Sequence, residues 1–103
     1  MPSIVVLFNL KDKAAQASYE QWAQSTDVPT VKGLGSIDDF RVYRMNEVMG
    51  TGEKPPYQYC EIVEVNDMAK FGEEISTEIM QKVAAEFQEF ADNPMFIVSD
   101  HFA

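Results

Sequence analysis

One cysteine, one histidine and one tryptophan occur among 103 residues, and 8 lysines and arginines face 17 aspartates and glutamates. Each scarcity excludes something. Cys60 alone cannot close an intrachain disulfide and forms no cysteine metal cluster. With His101 as the single histidine, no Ser-His-Asp order and no metal-ligand cluster is present. Gly50-Thr51-Gly52 lacks the strand-to-helix context of a nucleotide site and reads as a loop, and no cofactor is expected. A net charge of −9 argues against nucleic acid and anionic membranes as partners, because both would repel the chain. No apolar run is longer than Ile4–Phe8, and no basic segment precedes it. A signal peptide or membrane span is therefore not expected, and the chain reads as cytoplasmic. Internal repeats and low-complexity segments are absent too.

What remains is a globular composition, 46% hydrophobic with 12% aromatic residues. A chain of this length has room for one domain, residues 1–103, with a limited core that association with a second subunit would enlarge. Ile4–Phe8 is β-branched and aromatic without alternation, which predicts a strand covered on both faces. A first helix is expected from Ala14 to about Thr26, with Tyr19, Trp22, Ala23 and Thr26 on one face at i, i+3, i+4, i+7 spacing. Val28 precedes Pro29 and is biased out of the α region, so the helix should loosen near Asp27. A carboxylate there, beside an aromatic face, lines a pocket or stays solvated next to ordinary core residues.

Phe40–Met45 and Tyr57–Val65 alternate and predict two strands, joined through the Gly- and Pro-containing loop between them as an antiparallel hairpin. Asn66 or Asp67 caps a short helix that Gly72 stops. Ser76 or Thr77 caps a longer one whose stripe runs from Ile79 and Met80 through Val83, Ala84 and Phe87 to Phe90. Asp92-Asn93-Pro94 ends it, and Met95–Val98 is the last strand. The order is β-α-β-β-α-β, a ferredoxin-like α+β fold with a four-stranded antiparallel sheet and both helices on one face. Apolar residues on the sheet's other face imply a homodimer packed sheet against sheet.

This order, together with Trp22, Asp27-Val28-Pro29-Thr30-Val31, Phe40-Arg41-Val42-Tyr43-Arg44 and Tyr57-Gln58-Tyr59-Cys60-Glu61, resembles the dimeric α+β barrel superfamily. More narrowly the chain is similar to the RedY/HapK-like proteins that accompany bacterial prodiginine (tripyrrole pigment) pathways. The likeness extends over nearly the whole chain and includes Met80-Gln81-Lys82-Val83-Ala84-Ala85-Glu86-Phe87. The resemblance implies a pocket between sheet and helices, with the Tyr19/Trp22 face turned into it. Asp27-Val28-Pro29 is also similar to the His-x-Pro segment of EthD-like relatives. Aspartate replaces the histidine here, which removes a metal or haem ligand.

Alternation puts Tyr57, Tyr59, Glu61, Val63 and Val65 on one face of their strand, and Arg41, Tyr43 and Met45 on one face of the preceding strand. Glu61, among apolar neighbours, is the carboxylate expected to be buried, with its pKa raised by desolvation. It either forms a cross-strand ion pair with Arg41 or Arg44, or serves as general base or acceptor for an N–H-rich ligand. His101 is an exposed terminal residue, or pairs with Asp27 or Glu61 at the pocket. Asp27, Glu61 and His101 are thus the candidate catalytic groups. Tyr19, Trp22, Arg41, Tyr43 and Tyr59 are the candidate ligand contacts. Two functions follow: a cofactor-free enzyme or accessory protein that holds a flat pyrrole-like ligand and assists condensation by acid/base catalysis, or a non-catalytic carrier or scaffold that docks to a condensing enzyme. A monooxygenase acting on an aromatic polyketide is a third, lesser reading.

Overall fold

The computed structural model describes residues 2–103. Strand β1 (Pro2–Leu10) lies inside a four-stranded antiparallel sheet between β3 (Tyr59–Val65) and β4 (Ala91–Asp100), and β2 (Ile37–Arg44) forms the edge beyond β3. The expected cover on both faces is not met within the chain: Ile4, Val6, Phe8 and Leu10 are buried, while Val5, Leu7 and Asn9 on the other face are only partly so. β2 and β3 pair antiparallel, as the hairpin reading expects. The helices α1 (Gln16–Trp22), α2 (Val28–Lys32), α3 (Met68–Glu74) and α4 (Glu78–Phe90) complete the α+β fold.

The registers align Ile4 and Val6 with Val63 and Glu61 on β3 and with Val98 and Phe96 on β4. Phe40 opposes Val63, and Val42 opposes Glu61. These residues share one sheet face, on which α4 lays Met80, Val83 and Phe87. Phe8 is the centre of that core. Its ring stacks on Tyr59 with centroids 5.5 Å apart and meets Tyr19 and Phe87 edge-on at 5.5 and 5.0 Å.

Several boundaries differ from the sequence reading, β2 among them, which runs Ile37–Arg44 instead of Phe40–Met45. The first helix does not end near Asp27. It passes through a π turn, Ala23–Asp27, in which the Val28 N–H reaches the carbonyl of Ala23, and it continues as α2. Proline supplies no N–H and its ring crowds the carbonyl four residues back, so a widened turn lets Pro29 enter without breaking the helix. Val28 accordingly keeps helical angles, φ −61° and ψ −50°, despite the proline that follows.

Asp92-Asn93-Pro94 does not separate helix from strand. It is already part of β4, whose register with β1 shifts between Leu7 and Asn9, and Asn93 sits at φ 46°. The break is a bulge, and asparagine tolerates the left-handed angle it requires. β3 starts at Tyr59 instead of Tyr57, because Gln58 turns its side chain to the end of β1: its Oε1 accepts from Leu10 N at 2.7 Å. Gly72 lies within α3, which Asp67 caps by accepting from Lys70 N at 3.1 Å.

Candidate functional site

Between the sheet and the helices lies an open-sided cavity of about 410 Å³. Val6, Val63, Phe71, Met80 and Phe87 give it apolar walls, and among the described residues two carboxyl side chains, Asp27 and Glu61, line it. Both are 5% exposed. Phe96 and Val98, at 57% and 65% exposure, form the rim on the β4 side.

Asp27 reaches this wall because of the π turn. The buried positions of the helical run are Tyr19, Ala23, Asp27 and Val31, a repeat of four. In a regular α-helix, steps of four residues drift around the axis by roughly 40° each. The wider π turn absorbs that drift, so Asp27 faces the sheet along with the apolar residues before and after it. Glu61 arrives by strand alternation, between Val6 of β1 and Val42 of β2.

The electrostatics follow from burial. Desolvation pushes the Asp27 carboxyl up to about 7. Glu61 is held well above the ordinary carboxylate range, first by desolvation and then by repulsion from Asp27. Two buried carboxyl groups that repel one another ionise in sequence, and both burial and the Asp27 charge favour the protonated form of Glu61. Glu61 Oε2 has no hydrogen-bond partner among the described residues. The cross-strand ion pair is ruled out for Glu61, since Arg41 pairs with Asp39 and, at 3.7 Å, with Glu64, while Arg44 grips Glu20.

Other candidates fall elsewhere. Tyr19 is fully buried behind the cavity, with its hydroxyl unpartnered. Burial raises its pKa most, followed by the charges of Glu61 and Asp27, which places its hydroxyl within the field of the carboxyl pair. Trp22 packs on Tyr19 and Phe90, with ring centroids at 6.2 and 5.6 Å, and belongs to the aromatic core instead of the cavity wall. Tyr59 is buried and donates its hydroxyl to Glu20 at 2.7 Å. Arg41 and Tyr43 are not brought to the cavity, because alternation on β2 sets them on the opposite sheet face from Phe40 and Val42. There Arg41 Nε donates to the Tyr43 hydroxyl at 3.0 Å. His101 is exposed beyond the end of β4, with Nε2 against the carbonyl of Ala103, and meets neither Asp27 nor Glu61.

The sequence reading missed Glu20. Arg44 Nε donates to it at 2.8 Å, Tyr59 donates as well, and the Arg44 bonds chiefly hold its carboxyl down at about 2. Its signal was the pairing of an acid next to Tyr19 with the arginine that ends β2. The apolar lining from α4 was legible as a helical stripe, and the resemblance implied a pocket between sheet and helices, whereas the lining from α3 was not read.

The fold recurs in solved structures. HapK from Hahella chejuensis is 24% identical, with a TM-score of 0.79 over 99% of this chain and 93% of that one. An EthD family protein from Bacillus halodurans is 12% identical, with a TM-score of 0.76 over 99% of each chain. A dimeric ferredoxin-like protein of unknown function from Jannaschia sp. is 12% identical, with a TM-score of 0.74 over 97% of this chain and 98% of that one. No curated protein matches the sequence. The model of the family described as "REDY-like protein HapK" matches residues 2–102, so that the chain belongs to the HapK family of REDY-like proteins.

Proposed function

We propose that the cavity binds a flat, largely apolar small molecule bearing N–H donors, of the pyrrole type, and assists its condensation by proton transfer. One observation carries this reading: two buried carboxyl groups face a single apolar cavity, and Glu61 has an oxygen with no partner among the described residues. A pyrrole N–H supplies the donor that this oxygen lacks, and the apolar walls suit a conjugated ring. Asp27, ionising near neutrality, takes a proton from the reacting molecule, and protonated Glu61 returns one to a leaving hydroxyl. Family membership supports a place in tripyrrole pigment assembly, beside a condensing enzyme. Tyr19 stiffens the back of the site through its aromatic contacts with Phe8 and Tyr59.

Trp22 fluorescence is the direct assay, since the indole packs on Tyr19 behind the carboxyl pair. Titration with a bipyrrole aldehyde and with a monopyrrole is expected to give saturable changes. Glu61→Gln should retain binding within a few-fold, and Glu61→Leu should lose about tenfold through the missing hydrogen bond. An absence of any saturable change, with isothermal calorimetry equally silent, would refute the assignment.

The same reading includes a homodimer. On the far sheet face the registers gather Val5, Leu7, Ile62, Met95, Ile97 and Tyr43. Tyr43 and Met95 are about half exposed there, at 49% and 48%. A second sheet laid on this face would bury it. Sedimentation should give a dimer at micromolar concentration, and Ile97→Glu should shift it to monomer. A wild-type monomer at that concentration would contradict the pairing.

A further inference from the structure

Around the end of β1, away from the carboxyl-lined cavity, a polar cleft of about 690 Å³ opens beneath the loop that joins β2 to β3. Lys11, Lys13, Arg44 and Lys54 line it, which is half of the 8 basic residues of a chain that carries −9 overall. Asp92 is the one acidic residue in its lining. Arg44 is committed to Glu20, whereas Lys11, Lys13 and Lys54 form no ion pair among the described residues. A concentration of unpaired positive charge on so acidic a molecule attracts anions to that spot and nowhere comparable.

The wall of the cleft is fixed in advance. Asn9 Nδ2 donates to the carbonyl of Pro56 at 3.2 Å, Asn9 Oδ1 accepts from Gln58 N at 2.9 Å, and Gln58 Oε1 accepts from Leu10 N at 2.7 Å. These bonds tie the loop to the end of β1. They explain why Gln58 leaves the strand, and they hold the loop that carries Lys54 against the side that carries Lys11 and Lys13.

We propose that this cleft is a second binding site, for the phosphate or diphosphate group of a small phosphorylated molecule. Three ammonium groups act as compact point charges on flexible stems and suit a multiply charged oxyanion. A planar carboxylate is better matched by the guanidinium fork of Arg44, and Glu20 already occupies that fork. Pro55, Pro56 and Met45 give the cleft apolar surface for the organic part of the ligand, and its volume falls in the range of small-molecule sites. Nothing in this assignment depends on proton transfer in the other cavity.

Inorganic pyrophosphate is the test ligand, titrated calorimetrically at low and moderate salt. Saturable binding is expected, weakening as salt rises. The triple variant Lys11→Gln/Lys13→Gln/Lys54→Gln should lose about tenfold or more in affinity, the combined effect of three exposed ion pairs. Asp92→Asn should bind about twice as tightly, through removal of one opposing surface charge. Lys32→Gln/Lys82→Gln, outside the cleft, should match the wild type. All five lysines are exposed, and circular dichroism verifies that each variant is folded. The proposal is overturned if pyrophosphate does not saturate, if the triple variant binds it like the wild type, or if polyglutamate binds where pyrophosphate does not, which would make the cleft a docking surface for an acidic protein.

Discussion

Asp27→Asn should make the protein more stable at pH 8, by up to about 4 kcal/mol, and leave it nearly unchanged at pH 4. The sign follows from the direction of the shift. Burial raises the Asp27 carboxyl from 3.8 to about 7, so between those values the folded chain holds a proton that the unfolded chain releases. Folding stability therefore falls as pH climbs through this window, and above it the full cost of a buried carboxylate is present. A shift of roughly three units at about 1.4 kcal/mol each gives the stated magnitude. An amide keeps the shape and has no charge to desolvate, so the variant should lose that slope. Urea unfolding at pH 4, 6 and 8 measures it. Parallel pH dependence in wild type and variant would show that Asp27 is hydrated in solution.

A substitution that stabilises a protein by removing a buried acid says something about why the acid is there. Apolar residues would pack the same position at lower cost. Replacing Glu61 by glutamine should act in the same direction, since Glu61 too is held above its ordinary range by burial and by its neighbour. Two such groups facing one cavity are a deliberate concentration of instability, and sites built for proton transfer are where such trade-offs are found. Surface pairs such as Lys32 with Asp39 offer no parallel, because they are solvated and contribute little.

The strands and their faces were legible in the sequence because β-structure has a period of two. Alternation alone put Tyr57, Tyr59, Glu61, Val63 and Val65 together, and the structure buries the four of them that lie in β3. The same rule shows why Arg41 and Tyr43 do not meet Glu61: Val42, not Arg41, is the residue across from it. The helical half was less legible. Periodicity at α spacing selected Tyr19, Trp22, Ala23 and Thr26, whereas the buried run is Tyr19, Ala23, Asp27 and Val31. A π turn changes the period locally, and its only trace in the sequence is Pro29, which equally predicts a helix end. Asp27 was expected where the helix loosens, and it lies instead in a π turn that carries it to the cavity. His101 was left open between an exposed terminal place and the pocket, and it takes the exposed place beyond the end of β4, a point that composition does not encode. The basic cleft was invisible for a further reason: Lys11, Lys13 and Lys54 are brought together only by the closure of the loop onto Asn9 and Gln58.

Glu61→Gln should lower the rate of an assisted condensation by about 10²- to 10⁴-fold, the usual worth of a positioned general acid, while ligand affinity changes only a few-fold. The wild-type rate should rise with pH through about 7 as Asp27 ionises, while burial and the Asp27 charge favour the protonated Glu61 that acts as the acid. Glutamine at position 61 should leave that rise near 7 in place. Asn at position 27 does the reverse and removes the rising limb. A carrier or scaffold predicts something different. Its effect on a partner enzyme follows occupancy, so every variant would change pathway flux only as far as it changes affinity, and no limb of the profile would be tied to a single carboxyl. Steady-state rates for the two variants, set against their Trp22 titrations across pH 5 to 10, therefore separate catalysis from carriage. Rates that track affinity in both variants would leave the carboxyl pair as an anchoring site for the N–H donor, with the bond-forming chemistry belonging to the partner.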